Sequence, residues 1–164
     1  TELRSQITQF KILSVRRLRW SDAGLGCKRG LRRTCFEEEA MSDETKTLYE
    51  RLGGYDAITA VANDLLPRLR ADPQLGRFWA HRGDDGIKRE KQLLIDFLCA
   101  SAGGPMYYRG RDMVLTHRGM RISESDWTVF LGHAAATLAK FQVPEAEQRD
   151  VVAFVQSLKK QIVE

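Results

Sequence analysis

The chain has 164 residues, 43% of them hydrophobic and 29% charged, with a formal net charge of +4. This length suits one domain with a buried core, and no apolar run is long enough to span a membrane. The excess positive charge lies in residues 1–40, which carry nine Lys or Arg and five Asp or Glu, so the neutral remainder gives no electrostatic basis for binding nucleic acid.

Residues 1–41 differ from the rest of the chain because arginines and glycines interrupt any helical stripe. We expect a basic, poorly ordered N-terminal extension here and a functional domain over residues 42–164. An Arg-rich organellar transit peptide is the alternative, and the acidic residues of this segment argue against it. Cys27, Cys35 and Cys99 fit neither a disulfide framework nor a zinc site, which predicts a reducing, cytoplasmic location.

Apolar residues at helical spacing begin after Thr47 and continue past Gly53-Gly54, which predicts a short helix, a tight turn and a longer helix. Pro67 lies inside the second pattern and is expected to kink that helix or end it early. A short turn or helix over 72–79 follows, and residues 81–86 predict a polar loop.

The third long pattern runs from Ile87 to Ala102 and ends at Gly103-Gly104-Pro105. Ser123 is placed to cap the next helix, with Asp126 reaching back to it. Pro144 opens the last helix. Because no stretch alternates as a strand would, the predicted fold class is all-α.

His117 ends the segment that joins the third helix to the fourth. It follows Met113 by four residues, so the two side chains face the same direction on one helical turn. An imidazole with apolar neighbours suits a haem whose iron is held from one side. A surface or capping histidine beside Arg118 is the competing interpretation.

The other candidate residues each carry two interpretations. His81 is a solvated loop histidine or a distal iron ligand, and His133 is a packed helix residue rather than a ligand. The segment before His117 is a solvated loop or a polar cluster whose guanidinium groups neutralise haem propionates, and it comprises Tyr107, Tyr108, Arg109 and Arg111. The large apolar side chains predicted to form the core, and to line any cofactor, are Phe78, Trp79, Phe97, Leu98, Trp127 and Phe130.

On these residues the chain resembles the group I truncated haemoglobins of bacteria, over residues 47–164. The resemblance implies a two-over-two helical sandwich around haem b, with His117 as the proximal iron ligand. It also implies binding of oxygen, nitric oxide and carbon monoxide, and nitric oxide detoxification with an unknown reductase. The matching motifs are Leu48–Gly54, Ala71–Pro73 with Phe78-Trp79, Gly103–Pro105 continuing through Tyr108, Gly110, Arg111 and Met113 to His117, and Ile122–Glu124 with Gly132-His133.

The resemblance also locates the two sides of the haem. It implies that the Phe78-Trp79 pair packs on the haem edge and that Phe97 and Leu98 lie on the distal helix. Where the family commonly has a distal tyrosine this chain has Leu66, and where it often has glutamine this chain has Leu94. Glu90 lies one turn before Leu94, and Gln92 matches only after a two-residue slip. We therefore expect a largely apolar distal pocket.

Two alternatives remain at this point. The first is a haem-based sensor or electron-transfer protein with a six-coordinate iron, in which His81 or another side chain is the sixth ligand. The second is a cofactor-free helical interaction module. For any of these we expect a monomer or a weak homo-oligomer, with no nucleic acid and no membrane as partner.

Overall fold

A computed structural model describes residues 46–164, and the predicted extension, Cys27 and Cys35 lie outside the described residues. Thr47–Glu164 forms one compact unit. This part of the chain contains helices and no β-strand, which confirms the all-α prediction, and none of its helices has the length and apolarity to cross a membrane. The elements are α1 (Leu48–Arg51), α2 (Gly54–Ala71), a 3₁₀ turn (Gly76–Trp79), α3 (Asp84–Ser101), α4 (Met113–His117), α5 (Glu124–Lys140) and α6 (Glu145–Ile162).

The turn between α1 and α2 has the predicted form. Thr47 caps α1: its hydroxyl accepts from the Glu50 N–H at 3.2 Å, and the Thr47 N–H donates to the Glu50 carboxylate at 2.7 Å. Gly53 and Gly54 have φ angles of +90° and +75°, which residues with a Cβ rarely adopt. The glycine pair therefore allows the chain to reverse without strain.

Helix α2 continues through Pro67 to Ala71, so the prediction that the helix ends early is wrong. Proline removes one backbone donor, which leaves the carbonyl of Asn63 without its helical partner. Both Pro67 and Asn63 are exposed, so water replaces the lost hydrogen bond.

Helix α3 begins at Asp84, three residues before the predicted Ile87, so the polar loop is shorter than expected. Its first turn contains Asp84 and Asp85, whose charges favour a helix N-terminus but carry no apolar signal. The helix ends as predicted: Gly103 has φ +87°, and the Gly104 N–H donates to the Cys99 carbonyl at 2.9 Å.

The helices form two connected groups. Helix α2 packs on α3 and α5, whereas α6 packs on α4 and also contacts α1 and α5. Arg51 of α1 forms ion pairs with Glu147 and Asp150 of α6. Helix α3 meets α4 and α6 through the buried side chains of Phe97, Met113 and Leu158.

Asp126 anchors the start of α5 and is almost fully buried, at 1% exposure. It completes the predicted capping box with Ser123, whose N–H and hydroxyl each donate to its Oδ2 at 2.8 Å. The Gln74 amide donates to Oδ1 at 2.8 Å and Arg77 to Oδ2 at 2.7 Å. Burial raises the pKa of Asp126, but these donors and the Arg77 charge outweigh it and lower the pKa from 3.8 to about 2.

We predict that the Asp126 carboxylate makes the free energy of unfolding fall as the pH is lowered. Because the pKa of Asp126 is lower in the folded chain, its contribution is complete above the unfolded value of 3.8 and is lost as the pH falls towards 2. The loss should be about 2 kcal/mol, since one pKa unit is worth about 1.4 kcal/mol. Urea unfolding between pH 6 and pH 2, run beside Asp126→Asn, measures it. An equal pH slope in both proteins contradicts the assignment.

Candidate functional site

His117 lies at the end of α4, a helix of five residues. Asp112 starts this helix, with its carboxylate accepting from the Leu115 N–H at 2.8 Å. The Nδ1 atom of His117 lies 2.9 Å from the carbonyl oxygen of Met113. Because a carbonyl oxygen only accepts, Nδ1 is the nitrogen that carries the proton. The lone pair of the neutral ring is therefore on Nε2, which has no hydrogen-bond partner within the described residues.

Met113 faces inwards on the same helix, as the four-residue spacing predicts. It is buried in a cluster with Phe97 of α3 and Leu158 of α6. The Phe97 ring is 5.3 Å from the ring of Tyr108 and 5.9 Å from that of Phe154. This cluster joins α3, α4 and α6 and holds α4 in place through Met113. His117, on the same helix, is half-buried.

The predicted polar cluster beside the histidine is only partly assembled. Tyr108 is half-buried on Phe97, its hydroxyl donates to the backbone carbonyl of Arg111 at 2.8 Å, and burial raises its pKa. The side chains of Arg109 and Arg111 are exposed, and Tyr107 is 76% exposed. The structure therefore makes Tyr108 a support for the backbone of this segment and leaves the arginines at the surface.

The resemblance implies that the distal side lies on α2 and α3. Leu66 is buried in α2, and the half-buried Leu94 packs against a cluster that includes Ile58 and Cys99. Leu98 packs against this cluster and also against the cluster of Phe97, Met113 and Leu158. Of the two positions predicted to lack a hydrogen-bond donor, Leu66 is buried and Leu94 packs in apolar surroundings.

Glu90 is a polar residue among these apolar side chains. Its position on the helix was evident from the sequence, but its partner was not. The Trp79 indole N–H donates to Glu90 Oε1 at 2.9 Å. Glu90 Oε2 is buried and accepts no hydrogen bond from the described residues, although Arg82 Nη1 lies 3.2 Å away. Trp79 also packs with the cluster of Leu65 and Leu69. The pair therefore ties the 3₁₀ turn to the second turn of α3.

The other two histidines differ from His117. His81 is exposed in the loop before α3. His133 Nε2 lies 2.9 Å from Asp72 Oδ2, as befits the expected hydrogen-bonded helix residue. Hydrogen bonds from His133 and from the backbone of Leu75 and Gln74 lower the pKa of Asp72. Of the three, only His117 is half-buried and also has an Nε2 atom without a hydrogen-bond partner among residues 46–164.

Large apolar side chains on α3, α5 and the 3₁₀ turn suit a flat apolar group. Trp127 is buried 5.4 Å from the ring of Phe130, and its indole N–H has no acceptor within residues 46–164. A buried donor without a partner is uncommon in proteins. The large apolar residues of this region that remain half-buried are Phe78, Trp79, Leu94, Leu98 and Phe130. Haem, with a broad apolar face and an iron for Nε2 of His117, fits these residues.

Comparison with known proteins finds similarity over the same compact unit. A family model described as bacterial-like globin matches residues 47–164. A group 1 truncated haemoglobin of Mycolicibacterium paratuberculosis is 29% identical over 119 residues, which cover 73% of this chain and 85% of that protein. A second, from Tetrahymena pyriformis, is 26% identical over 121 residues, covering 74% of this chain and 98% of that protein.

Solved structures show the same similarity. The crystal structure of the Tetrahymena pyriformis truncated haemoglobin in its Fe(III) form superposes with a TM-score of 0.66 at 25% identity, covering 72% of this chain and 98% of that one. The 2/2 haemoglobin of a Synechococcus species gives 0.64 at 23% identity, covering 71% and 95%, and supports the fold alone.

Proposed function

The chain belongs to the bacterial-like globin family, as a group 1 truncated haemoglobin with the two-over-two fold, and from this premise we propose that His117 binds the iron of haem b. Family membership implies haem, and the proposal adds the type of haem and the ligating residue. It extends to reversible binding of oxygen, nitric oxide and carbon monoxide. Nitric oxide detoxification is part of the same proposal and requires an electron-donating reductase as partner.

The hydrogen bond between His117 Nδ1 and the Met113 carbonyl carries this proposal. It fixes the ring tautomer and turns Nε2 into the free donor of an electron pair. A histidine that ligates a metal commonly gives its other N–H to a carbonyl or carboxylate, which also holds the ring orientation. The capped helix α4 therefore presents a half-buried imidazole that is ready to bind iron.

When bound, haem supplies an iron with an open coordination position for a diatomic gas. Leu66 and Leu94 exclude water from that side and offer no hydrogen bond to the gas. The Trp79 N–H, a possible donor on the 3₁₀ turn, is already engaged by Glu90. One missing hydrogen bond is worth about 1 kcal/mol, or nearly tenfold in oxygen affinity. We therefore infer that carbon monoxide and nitric oxide, which need a donor less, bind relatively better.

The direct test is titration of the purified full chain with haemin. We expect an intense Soret band that saturates at one haem per chain, and a carbon monoxide complex after reduction. Fast oxygen dissociation is expected beside slow carbon monoxide dissociation, because the distal side is apolar. A chain that stays colourless contradicts the proposal and supports the cofactor-free alternative.

A further inference from the structure

The turn that follows α4 is held by one distant carboxylate. The Gly119 N–H donates to Glu164 Oε1 at 2.7 Å, and the Arg121 N–H donates to Glu164 Oε2 at 2.6 Å. In return, the Glu164 N–H donates to the Ile122 carbonyl at 2.9 Å. The three hydrogen bonds, which we call the Glu164 clamp, join the residues after α6 to the turn between α4 and α5.

The clamp holds a backbone shape that the turn would not keep by itself. Gly119 has φ +79°, and Arg121, which has a Cβ, has φ +52°. A left-handed conformation is unfavourable for a residue other than glycine, because its Cβ crowds the backbone. With both N–H groups directed at one carboxylate, the turn forms a small anion-binding concavity. Glu164 therefore offsets the cost of the conformation at Arg121.

The charge state of Glu164 favours a strong clamp. Hydrogen bonds from the Gly119 and Arg121 backbone lower the pKa of the exposed Glu164, a small loss of hydration opposes them, and the Arg121 and Arg118 charges lower it further. The carboxylate is thus ionised at neutral pH. Hydrogen bonds to an ionised acceptor are roughly twice as strong as neutral ones.

The clamped turn is directly connected to His117. The Met120 N–H donates to the His117 carbonyl at 3.1 Å, so the turn begins immediately after the histidine. The side chain of His117 also lines a surface groove with Val114 and residues 160–164. The segment that carries Glu164 therefore contacts both the histidine and the backbone that follows it.

We propose that Glu164 is a positioning residue for His117, an inference that rests on the proposed function. A helix of five residues is not stable alone, so its orientation depends on the packing of Met113 and on what holds its two ends. Asp112 fixes the first end through its cap, and the Glu164 clamp fixes the second. The imidazole is thereby held at one angle to the iron, and loss of the clamp loosens that angle without removing the ligand.

The test compares Glu164→Ala, Glu164→Gln and the control Glu145→Ala, whose side chain is 93% exposed at the other end of α6. We expect every protein to bind one haem. Glu164→Ala should release haem to an acceptor about tenfold faster. It should also shift the iron–histidine stretching band of the ferrous form. Glu164→Gln keeps one acceptor oxygen, so its haem release rate and its band position should lie between those of the wild type and Glu164→Ala. Before haemin is added, amides 116–119 should exchange hydrogen faster in Glu164→Ala.

Each other outcome overturns the proposal. If Glu164→Ala has the wild-type band and haem release rate, Glu164 does not position the ligand. If only the free energy of unfolding falls, its role is structural. If Glu145→Ala shifts the band as much, the effect belongs to α6 as a whole. If the wild-type chain itself binds no haem, the proposed function fails first, and that failure is seen before any variant is made.

Discussion

The His117→Ala protein is expected to lose stable haem binding. Losing a residue that merely orients a metal ligand costs about 10–100-fold in affinity, and loss of the ligand itself should cost more. The hydrogen bond from Nδ1 to Met113 disappears with the ring, but α4 keeps its cap at Asp112, so the helix should still form. The measurement is haem affinity, together with the Soret position of the ferric and ferrous forms.

Two controls make the result specific. Added imidazole should enter the space left by the ring and restore the wild-type spectrum of His117→Ala. His81→Ala and His133→Ala should bind haem as the wild type does, because one side chain is exposed and the other is paired with Asp72. An unchanged spectrum in His117→Ala refutes the assignment. A changed ligand-free spectrum in His81→Ala would instead favour the six-coordinate alternative.

The Phe97→Ala protein is expected to lose about 3–4 kcal/mol of unfolding free energy. Phe97 is buried where α3, α4 and α6 meet, and its ring packs on Tyr108 and Phe154. Deleting it leaves a cavity that three separate elements cannot easily close. Urea unfolding of the chain before haemin is added measures this effect, so that any contact between Phe97 and haem does not contribute.

The matched variants are Phe97→Leu and Phe141→Ala. Leucine fills most of the space and should cost about 1 kcal/mol. Phe141 is 39% exposed, so its truncation should cost less than about 1 kcal/mol. If Phe97→Ala unfolds like the wild type in the absence of haem, then the ring is not a core residue. A deficit that appears only after haemin is added would make Phe97 a cofactor contact instead.

Local signals predicted most helix ends correctly. Ser123 with Asp126 predicted a capping box, and Gly103-Gly104 predicted the end of α3, because both depend on residues close in sequence. The start of α3 was missed because Asp84 and Asp85 give a charge signal without apolar periodicity. The early end of α2 expected at Pro67 was wrong. The cost of a proline inside a helix depends on whether water reaches the unpaired carbonyl, and residue spacing does not reveal this.

Contacts between distant residues were not predictable in the same way. His117 was found because a short motif surrounds it, but the tautomer of its ring became evident only from the Met113 carbonyl. Glu90 was noted by its position on the helix, whereas its partner Trp79 lies on a separate element. Nothing in the sequence marks Glu164 as important. The role of its carboxylate becomes evident only from the backbone N–H groups of Gly119 and Arg121 that donate to it.

The pairing of α1 with α6 has a consequence for the order of folding. Arg51 and Asp150 are 99 residues apart, and closing a loop of that length costs about 4 kcal/mol of chain entropy before any contact repays it. Contacts of such separation are expected to form after the transition state, once α2–α6 have already assembled. Weakening Arg51 should then accelerate unfolding and leave the rate of folding almost unchanged. The ion pair would then contribute to kinetic stability: it would set the lifetime of the folded globin rather than the rate at which the chain folds.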